Sequence, residues 1–510
     1  MRPITRVLIA NRGEIALRVL RACRELGVSP VIAYSEADAA SLPVRLADAG
    51  RLIGPPPAAR SYLDIGALVA AARDLKADAV HPGYGFLAEN PEFARACADA
   101  GLLFIGPPPE AMALVGDKVE ARRLAERHGV PVIPGLTGRA GDLETLRAFA
   151  RRAGYPVLLK AAAGGGGKGM RVVRGEEELE AAARAARSEA KASFGDDGIY
   201  CEKLLEGVRH VEIQILIDAD GHGVHLGERE CSLQRRHQKL VEEAPSAALD
   251  DTARARIGEL ALQVARAAGY RNAGTVEFLL DDGGNAWFME VNARIQVEHP
   301  VTEMVTGHDL VRAQILLAQG EPLPMRQEQL RPRGAAIECR ILAEDPANGF
   351  RPCPGPIREL RLPAGPGIRV DTALRAGDGV SLHYDALIAK LVAWGRDRRE
   401  AIARMRRALD EFVVAGIRTT IPFHREVMAD PGFQSGRLDI GWVDRHLARL
   451  TERLRTPGPD TEAAAIAAAV MACGEAERGR VAATAAGPTA WAAAGRRAQM
   501  ETRTRPFPGR

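Results

Sequence analysis

The chain contains 510 residues, of which 46% are hydrophobic, 69 are basic and 66 are acidic. This length predicts about three domains. The nearly neutral charge argues against broad attraction to nucleic acid or membrane surfaces, so any anion site should be local. Seven cysteines without a CxxC pair argue against a disulfide framework and a zinc knuckle. No apolar run is long enough for a signal peptide or a bilayer span, so we expect a cytoplasmic location.

The first residues predict an α/β domain. The apolar run 7–10, the periodic run that ends at Leu26 and the apolar run 30–34 are typical of a strand, a helix and a second strand. The connecting sequence NRGE contains only Gly13, whereas a dinucleotide fingerprint needs three glycines. We therefore predict a βαβ opening without a nicotinamide cofactor. The segment HPGYGFLAEN follows a predicted strand and is either an ordinary loop or part of a site.

The pattern of predicted elements changes twice after this domain. From about residue 130 to 200, the strand YPVLLK, a glycine run, the strand MRVV and a charged helix from Glu176 predict a smaller α+β unit that acts as a flap. Residues 200–292 predict strands with hairpin turns at DADGHG and DDGGN. A further set of strands is expected from GAAIECRIL to about residue 446, followed by a linker with loosely attached helices.

The glycine run KAAAGGGGKGM is a candidate phosphate-binding segment. It does not match a Walker A loop, because Ala162 stands where glycine is required and Gly169 follows Lys168. A mobile hairpin whose amides and lysines, Lys160 and Lys168, close over phosphates is one interpretation. A flexible linker is the other.

The segment EVNARIQVEHP at 290–300 is the most unusual candidate strand. At the two-residue period of a strand, one of its faces is wholly polar and the other is apolar. The polar face comprises Glu290, Asn292, Arg294, Gln296 and Glu298. A solvated edge strand is the alternative, and for an isolated strand it is the better interpretation.

A hairpin gives this polar face a partner. If Gly283 and Gly284 form a two-residue loop, Glu277 lies directly opposite Glu290. Opposed carboxylates destabilise a sheet unless a cation lies between them, and with Asn292 they match the oxygen ligands of Mg²⁺ or Mn²⁺. We therefore predict a metal face. The prediction depends on register, because one extra loop residue would turn Glu290 away from Glu277.

A cluster of basic residues follows in ERECSLQRRHQKLVEE. Within eleven positions it contains Arg229, Arg235, Arg236, His237 and Lys239. A local anion site is one interpretation of this cluster. A solvated charged loop is the alternative, and it is favoured when the cluster is considered alone.

These motifs form an ordered set that identifies a family. The set is NRGEIALRVLRAC, HPGYGFLAEN, VGDK, KAAAGGGGKGM, RHVEIQIL, CSLQRRHQKLVEEAPS, EVNARIQVEHPVTEMVTG and ECRILAEDP. Over residues 4–447 the chain closely resembles biotin carboxylase, the ATP-grasp enzyme of acetyl-CoA carboxylase and of related acyl-CoA and pyruvate carboxylases. The resemblance implies mixed α/β and α+β architecture in three domains. We expect a Rossmann-like domain at 1–115, an ATP-grasp domain at 116–330 with a lid at about 132–203, a C-terminal domain at 331–447, and an Ala- and Arg-rich tail at 448–510.

The resemblance also implies roles for individual residues. ATP phosphates are expected at Lys118 and Lys160, with Gly166 and Gly167 in the closing lid. Adenine and ribose are expected at Glu202, Lys203, Leu205, His210 and His237. Two Mg²⁺ or Mn²⁺ ions are expected at Glu277, Glu290 and Asn292, in agreement with the hairpin argument. Bicarbonate is expected at Lys239, Arg294, Gln296 and Val297, with Glu298 as its base and Arg340 as the residue that stabilises the biotin enolate.

The implied reaction is the ATP-dependent carboxylation of biotin by bicarbonate through carboxyphosphate. Biotin is expected on a separate carrier protein, with carboxyltransferase subunits as further partners and a homodimer as the assembly. Neither nucleic acid nor a membrane is expected as a partner. Another ATP-grasp ligase that acts on an amine is one alternative, and a catalytically silent scaffold subunit is another.

Overall fold

The computed structural model describes residues 3–136, 142–161 and 170–455. By its internal contacts the chain divides at Thr451, and the residues discussed below lie in the first unit. Within the described ranges, no helix combines the length and the apolar character needed to cross a bilayer. The predicted glycine hairpin, with Gly166 and Gly167, lies outside the described residues, as does the tail from residue 456.

The N-terminal region is built around a parallel sheet, which confirms the predicted βαβ opening. Its strand order is β3-β2-β1-β4-β5. Val7 and Ile9 of β1 pack into one core and Leu8 into another, so both faces of the sheet are covered. The elements are β1 Arg6–Ile9, α1 Gly13–Glu25, β2 Ser29–Ser35, α2 Leu42–Leu46, β3 Ala49–Gly54, α3 Ile65–Asp74, β4 Ala79–His81, α4 Pro91–Asp99 and β5 Leu103–Phe104.

Two helices lead into a small unit that matches the predicted flap. Its antiparallel sheet has the strand order β7-β6-β8. Helix α7 precedes β6 in the chain, and helix α8 connects β7 with β8. Phe149, Leu159 and Ile199 belong to a core of its own. The elements are α5 Pro109–Gly116, α6 Lys118–Arg127, α7 Leu143–Ala153, β6 Val157–Ala161, β7 Arg171–Val173, α8 Glu176–Phe194 and β8 Ile199–Lys203.

The largest layer is an eight-stranded antiparallel sheet of order β13-β12-β9-β10-β11-β14-β21-β19. It runs without a break across the boundary predicted at residue 330, because β11 pairs with β14. Its first elements are β9 Arg209–Ile217, β10 Gly223–Arg235, β11 Gln238–Ala244, α9 Asp251–Ala267, β12 Asn272–Leu280, β13 Ala286–Asn292, α10 His299–Thr306, α11 Leu310–Ala318 and β14 Ala335–Leu342.

The remaining elements extend this sheet and cover it. Helix α12 packs on β14, β19 and β21. These elements are β15 Glu344–Asp345, β16 Arg351–Pro352, β17 Gly355–Pro356, β18 Glu359–Arg361, β19 Ile368–Asp371, β20 Gly379–Val380, β21 Leu387–Gly395, α12 Arg398–Glu411, β22 Val413–Ala415, α13 Ile421–Ala429, α14 Pro431–Gln434 and α15 Trp442–Arg455.

The hairpin β12–β13 has the predicted pairing but not the predicted loop. Glu277 lies opposite Glu290, as expected. The loop, however, spans residues 281–285 rather than Gly283 and Gly284 alone. A register shift follows, since Phe278 pairs with Phe288 while Glu277 pairs with Glu290. This β-bulge at Met289 restores the alignment that the longer loop would have lost.

The prediction that residues 290–298 form one strand is wrong. Strand β13 ends at Asn292, and an irregular segment leads to α10 at His299. The polar side chains nevertheless converge, as described below. Their convergence depends on turns that bring the chain back toward the sheet, which a two-residue periodicity cannot represent.

Helix α13 is hydrogen-bonded to the large antiparallel sheet at the carbonyl group of Arg340. The carbonyl oxygen of Arg340 accepts hydrogen bonds from Thr420 Oγ1 at 3.0 Å and from His424 Nε2 at 2.8 Å. Thr420 Oγ1 also accepts from the Leu342 amide at 2.9 Å. Because His424 is fully buried, desolvation lowers its pKa to about 4. The helix therefore depends on a neutral histidine that donates to β14.

Acid should weaken the fold through His424. Its pKa is about 4 in the native state and 6.5 when unperturbed, so the unfolded state takes up the proton first as the pH falls. The stabilising contribution is complete above about pH 6.5 and is lost toward pH 4, with a free-energy change of about 3 kcal/mol. Urea unfolding of His424→Asn should therefore show a shallower loss of stability over this range than the wild-type chain.

The matched control for this measurement is His222→Asn. His222 is 79% exposed on the turn between β9 and β10, so its removal should leave the wild-type slope unchanged. Equal slopes for wild type and His424→Asn would contradict the assignment.

Candidate active site

A single cavity of about 1280 Å³ brings the predicted site residues together. The start of α1 and the loops of the N-terminal region, the flap and the large antiparallel sheet all contribute to its walls. Every predicted site residue within the described ranges borders it: Lys118, Lys160, Glu202, Lys203, Leu205, His210, His237, Lys239, Glu277, Glu290, Asn292, Arg294, Gln296, Val297, Glu298 and Arg340. A cavity of this size and lining is typical of a substrate site.

Two lysines at one end of the cavity face carboxylates. Lys118 Nζ lies 2.9 Å from Glu290 Oε2, and Lys160 Nζ lies 2.5 Å from Glu202 Oε2. Lys118 is the first residue of α6, next to the N-cap Asp117, so its backbone direction is fixed by the helix start. Glu290 raises the pKa of Lys118. The ammonium group of Lys118 is thus charged, and both lysines are placed to bind phosphate oxygens.

The remaining predicted nucleotide residues line the same end of the cavity. Lys203, at the end of β8, donates to the carbonyl oxygen of Gly154 at 2.9 Å. His237 lies in the tight turn between β10 and β11, where its φ of +65° follows a φ of +48° at Arg236. Burial lowers the pKa of His237. Its imidazole is therefore neutral at pH 7 and has both a donor and an acceptor nitrogen.

Glu277 is the most heavily contacted carboxylate of the metal face. Its Oε2 lies 3.0 Å from His210 Nε2, and its Oε1 accepts from Lys239 at 3.1 Å, from Asn292 Nδ2 at 2.9 Å and from Gln296 Nε2 at 3.2 Å. Burial alone would raise the pKa of Glu277, but Lys239 and His210 hold it well below its usual range. Glu277 is therefore a carboxylate, which is the form that binds a metal ion.

The donor set fits a hard divalent cation. Carboxylate oxygens of Glu277 and Glu290 and the amide oxygen of Asn292 come from neighbouring positions of one hairpin. Mg²⁺ and Mn²⁺ prefer such oxygen ligands and leave positions for phosphate oxygens. A second grouping lies beside it, since ligand atoms of His210, Glu212 and Glu277 are within 4.8 Å of one another.

Lys239 connects the metal face with the predicted base. Its Nζ lies 2.5 Å from Glu212 Oε2, 3.1 Å from Glu277 Oε1 and 2.6 Å from Glu298 Oε1. Burial alone would lower the pKa of Lys239, but the surrounding groups, including these three carboxylates, raise it well above its ordinary value. The ammonium group therefore stays charged and holds three carboxylates around one point.

Glu298 is flanked by two cations. Besides Lys239, Arg340 Nη2 donates to Glu298 Oε2 at 3.0 Å. Burial would raise the pKa of Glu298, but Lys239 and Arg340 hold it well below its usual range. The residue is thus ionised and able to accept a proton, as a general base requires. Arg340 itself is shared, because its Nε donates to Glu242 Oε1 at 2.6 Å.

Arg294 is held by three side chains and by the Ile295 carbonyl oxygen, which together orient its guanidinium group. It donates to Glu89 Oε2 at 2.9 Å, to Gln296 Oε1 at 2.8 Å and to Asn292 Oδ1 at 3.0 Å. Glu89 belongs to the HPGYGFLAEN segment, so that segment is part of the site rather than an ordinary loop. Glu89 Oε1 also accepts from the Ala293 amide at 2.9 Å.

The basic cluster does not form one anion site. Arg229 is fully buried and donates to Glu212, Gln214, Thr275 and Thr302 at 2.5–3.0 Å. Arg235 instead lies over the ring of Phe350, 4.5 Å from its centroid. Among the five residues of this cluster, His237 and Lys239 border the cavity.

Several supporting residues were not predicted. Glu212 contacts Lys239 and accepts from Arg229, which was predicted only as part of the basic cluster. Glu242 accepts from Arg340, and Lys390 donates to the carbonyl oxygen of Val297 at 3.0 Å. One signal was available in RHVEIQIL, where His210, Glu212 and Gln214 alternate with apolar residues and share one face of β9.

Three family models match the chain in succession. Residues 3–112 match the biotin carboxylase N-terminal domain. Residues 117–326 match the ATP-binding domain of the carbamoyl-phosphate synthase L chain. Residues 338–445 match the biotin carboxylase C-terminal domain.

Characterised relatives agree with these matches. The chain is 51% identical over 438 residues to the biotin carboxylase of Nostoc sp. The match covers 86% of this chain and 98% of that protein. The chain is 50% identical over 445 residues to the biotin carboxylase of Pseudomonas aeruginosa. This match covers 87% of this chain and 99% of that protein.

Solved structures have the same fold. The biotin carboxylase of Campylobacter jejuni in a β-γ-ATP complex matches with a TM-score of 0.85 and 48% identity, over 87% of this chain and 99% of that chain. The biotin carboxylase domain dimer of the 2-oxoglutarate carboxylase of Hydrogenobacter thermophilus, in complex with MgADP, ADP and bicarbonate, matches with a TM-score of 0.86 and 45% identity, over 88% of this chain and 99% of that chain. The chain therefore belongs to the biotin carboxylase family.

Proposed function

We propose that the chain carboxylates biotin on a separate carrier protein, using ATP and bicarbonate, as the first half-reaction of a biotin-dependent carboxylase. The observation that carries this proposal is the ionised Glu298 between Lys239 and Arg340, in a cavity whose other end presents Lys118 and Lys160. The first end suits bicarbonate and biotin, and the second end suits the phosphates of ATP. Bicarbonate-dependent release of ADP by the purified chain tests this function directly.

ATP is assigned to the lysine end of the cavity. Its phosphates would replace the carboxylate partners of Lys118 and Lys160, while Glu202, Lys203, Leu205, His210 and His237 surround the nucleoside. We assign two Mg²⁺ or Mn²⁺ ions to Glu277, Glu290 and Asn292. When bound, such ions would neutralise charge on the transferring phosphoryl group.

Bicarbonate is assigned to Lys239, Arg294 and the backbone at Gln296 and Val297. The planar guanidinium group of Arg294 matches a planar anion, and the positive charges offset repulsion from ATP. Glu298 accepts the bicarbonate proton, and the resulting oxygen nucleophile attacks the γ-phosphorus as ADP leaves. The product of this step is carboxyphosphate.

Carboxyphosphate then breaks down to CO₂ and phosphate inside the closed site. Phosphate takes the proton from the biotin ureido nitrogen, and the nitrogen forms a bond to CO₂. Arg340 stabilises the enolate oxygen that develops on biotin, an electrostatic role typically worth about 3 kcal/mol. Its guanidinium group is already oriented for this by Glu242 and Glu298.

Two alternatives make different predictions. An ATP-grasp ligase that acts on an amine has no need of Glu298 and Arg340 in this arrangement. A silent scaffold subunit would not release ADP when bicarbonate is added. The ionised Glu298 between Lys239 and Arg340 argues for a working enzyme.

The partners follow from the reaction. We propose a biotin carboxyl carrier protein and carboxyltransferase subunits as partners, a homodimer as the assembly and a cytoplasmic location. The complex is acetyl-CoA carboxylase, which serves fatty acid biosynthesis, or a related acyl-CoA or pyruvate carboxylase. The dimer of the Hydrogenobacter thermophilus relative supports the homodimer. We also propose domain limits at 1–115, 116–330 and 331–447, which the family-model matches at 3–112, 117–326 and 338–445 support.

Replacing Glu290 by Gln should abolish ATP turnover and leave the fold intact. The change removes one metal-ligand charge and also the repulsion between Glu290 and Glu277. We expect bicarbonate-dependent ADP release to fall by more than about a hundredfold, as loss of several kcal/mol of charge stabilisation implies. Glu359→Gln, at a position 52% exposed on β18, is the matched control. Unchanged turnover of Glu290→Gln in saturating Mg²⁺ would contradict the metal assignment.

Glu298→Gln and Arg340→Ala should fail at different steps. Arg340→Ala should retain appreciable bicarbonate-dependent ATP cleavage but lose carboxybiotin formation by about two to three orders of magnitude. Glu298→Gln should lose both, because bicarbonate without a base is a poor nucleophile. ADP release and labelled carboxybiotin are measured together, with and without bicarbonate. A parallel loss of ADP release would show that Arg340 is needed before biotin reacts.

The purified chain should carry no covalent biotin. Biotin is normally attached to lysine within Met-Lys-Met, and this triplet does not occur in the sequence. A streptavidin blot of the purified 510-residue chain should therefore be negative, while a biotinylated carrier run beside it is positive. A biotin signal on the chain itself would contradict a separate carrier.

A further inference from the structure

The loop between β20 and β21 forms one rim of the cavity at the Arg340 end. We call residues 381–386 the rim loop; each of them borders the cavity. The loop leads directly into β21, where Leu387 pairs with Leu342 and Lys390 pairs with Arg340. It therefore lies at the end of the cavity where biotin reacts in the proposed function, on which this inference rests.

Leu382 projects from this rim into solvent. It is 79% exposed, whereas the other exposed large hydrophobic residues within the described ranges are 38–47% exposed. Beside it, His383 and Asp385 are exposed as well. Single exposed apolar residues are common on protein surfaces. Leu382 differs from the others in that it is the most exposed large hydrophobic residue that the structure describes and lies on the rim of the cavity.

The rim loop is firmly anchored, so Leu382 is held outward by the fold. The Tyr384 hydroxyl lies 2.5 Å from the carbonyl oxygen of Pro56 and 2.6 Å from Ser35 Oγ. The Arg12 guanidinium group lies over the Tyr384 ring, 4.2 Å from its centroid. On either side of Leu382, Ser381 Oγ accepts from the His383 amide at 3.1 Å, and Asp385 Oδ1 accepts from the Leu387 amide at 2.7 Å.

We propose that the rim loop, through Leu382, is a docking contact for the carrier protein that bears biotin. ATP and bicarbonate are small and enter the cavity whole, so neither requires a contact outside it. Biotin is different, because it stays attached to a protein while its ureido ring reaches Arg340. That protein must lie against the rim at this end, and a rigid apolar contact there lowers the entropic cost of docking.

The test compares tethered with free biotin in the Leu382→Asp variant of the full chain. With a biotinylated carrier domain as substrate, kcat/KM should fall about tenfold through a higher KM, since removal of one central anchor is worth about that much. With free biotin, kcat/KM should stay within about twofold of wild type, as should bicarbonate-dependent ADP release. Titration of the same carrier domain should show a Kd raised about tenfold, independently of turnover.

Leu362→Asp is the matched control. Leu362 is 44% exposed and does not border the cavity, so its replacement should change none of these quantities. An unchanged carrier Kd in Leu382→Asp would overturn the proposal and point to another occupant of the rim, such as residues 456–510 or a second copy of the chain. Equal losses with free and tethered biotin would also overturn it, since Leu382 would then contact biotin itself. If wild-type chain binds the carrier through Leu382 but does not cleave ATP, the proposed function fails and the docking surface stands.

Discussion

The site depends on one buried ammonium group, that of Lys239, surrounded by the carboxylates of Glu212, Glu277 and Glu298. Three carboxylates in a low-dielectric interior repel one another strongly unless a cation lies among them. Lys239 supplies that cation, and Arg229, buried behind it against Glu212, supplies a second. Loss of either would leave a buried charge without its partner, which is more costly than the pair is stabilising. The geometry of metal face and base is therefore one electrostatic unit.

Elsewhere in the cavity, two lysines are paired with carboxylates of the chain itself. Glu290 neutralises Lys118, and Glu202 neutralises Lys160. In the proposed function, binding of phosphate would exchange one partner of these lysines for another, and it would release the Glu290 carboxylate for a metal ion. Nucleotide binding and metal binding would then be coupled through the ion pair of Lys118 with Glu290.

The sequence predicted one pairing of the hairpin but not its backbone path. Glu277 does lie opposite Glu290, but only because a bulge at Met289 compensates a loop longer than Gly283 and Gly284. Side-chain periodicity placed Glu290 and Asn292 on one face of β13 but failed beyond Asn292, where the strand ends. Loop length and bulge depend on local packing that no residue type reports. Partners supplied from distant segments, such as Glu89 for Arg294 and Glu242 for Arg340, were not predicted, because pairing over more than 90 positions leaves no local pattern.

Arg340 binds two carboxylates of different basicity, those of Glu242 and Glu298. Burial raises the pKa of Glu242 to about 7 despite Arg340, whereas Lys239 and Arg340 together hold the pKa of Glu298 low. Glu242 also lies directly opposite Glu338, a buried glutamate whose pKa burial raises well above its ordinary value. Opposed acids of this kind are stable when one is neutral. The larger rise at Glu338 makes that residue the neutral member of the pair, so Glu242 can keep the charge that holds Arg340 beside Glu298.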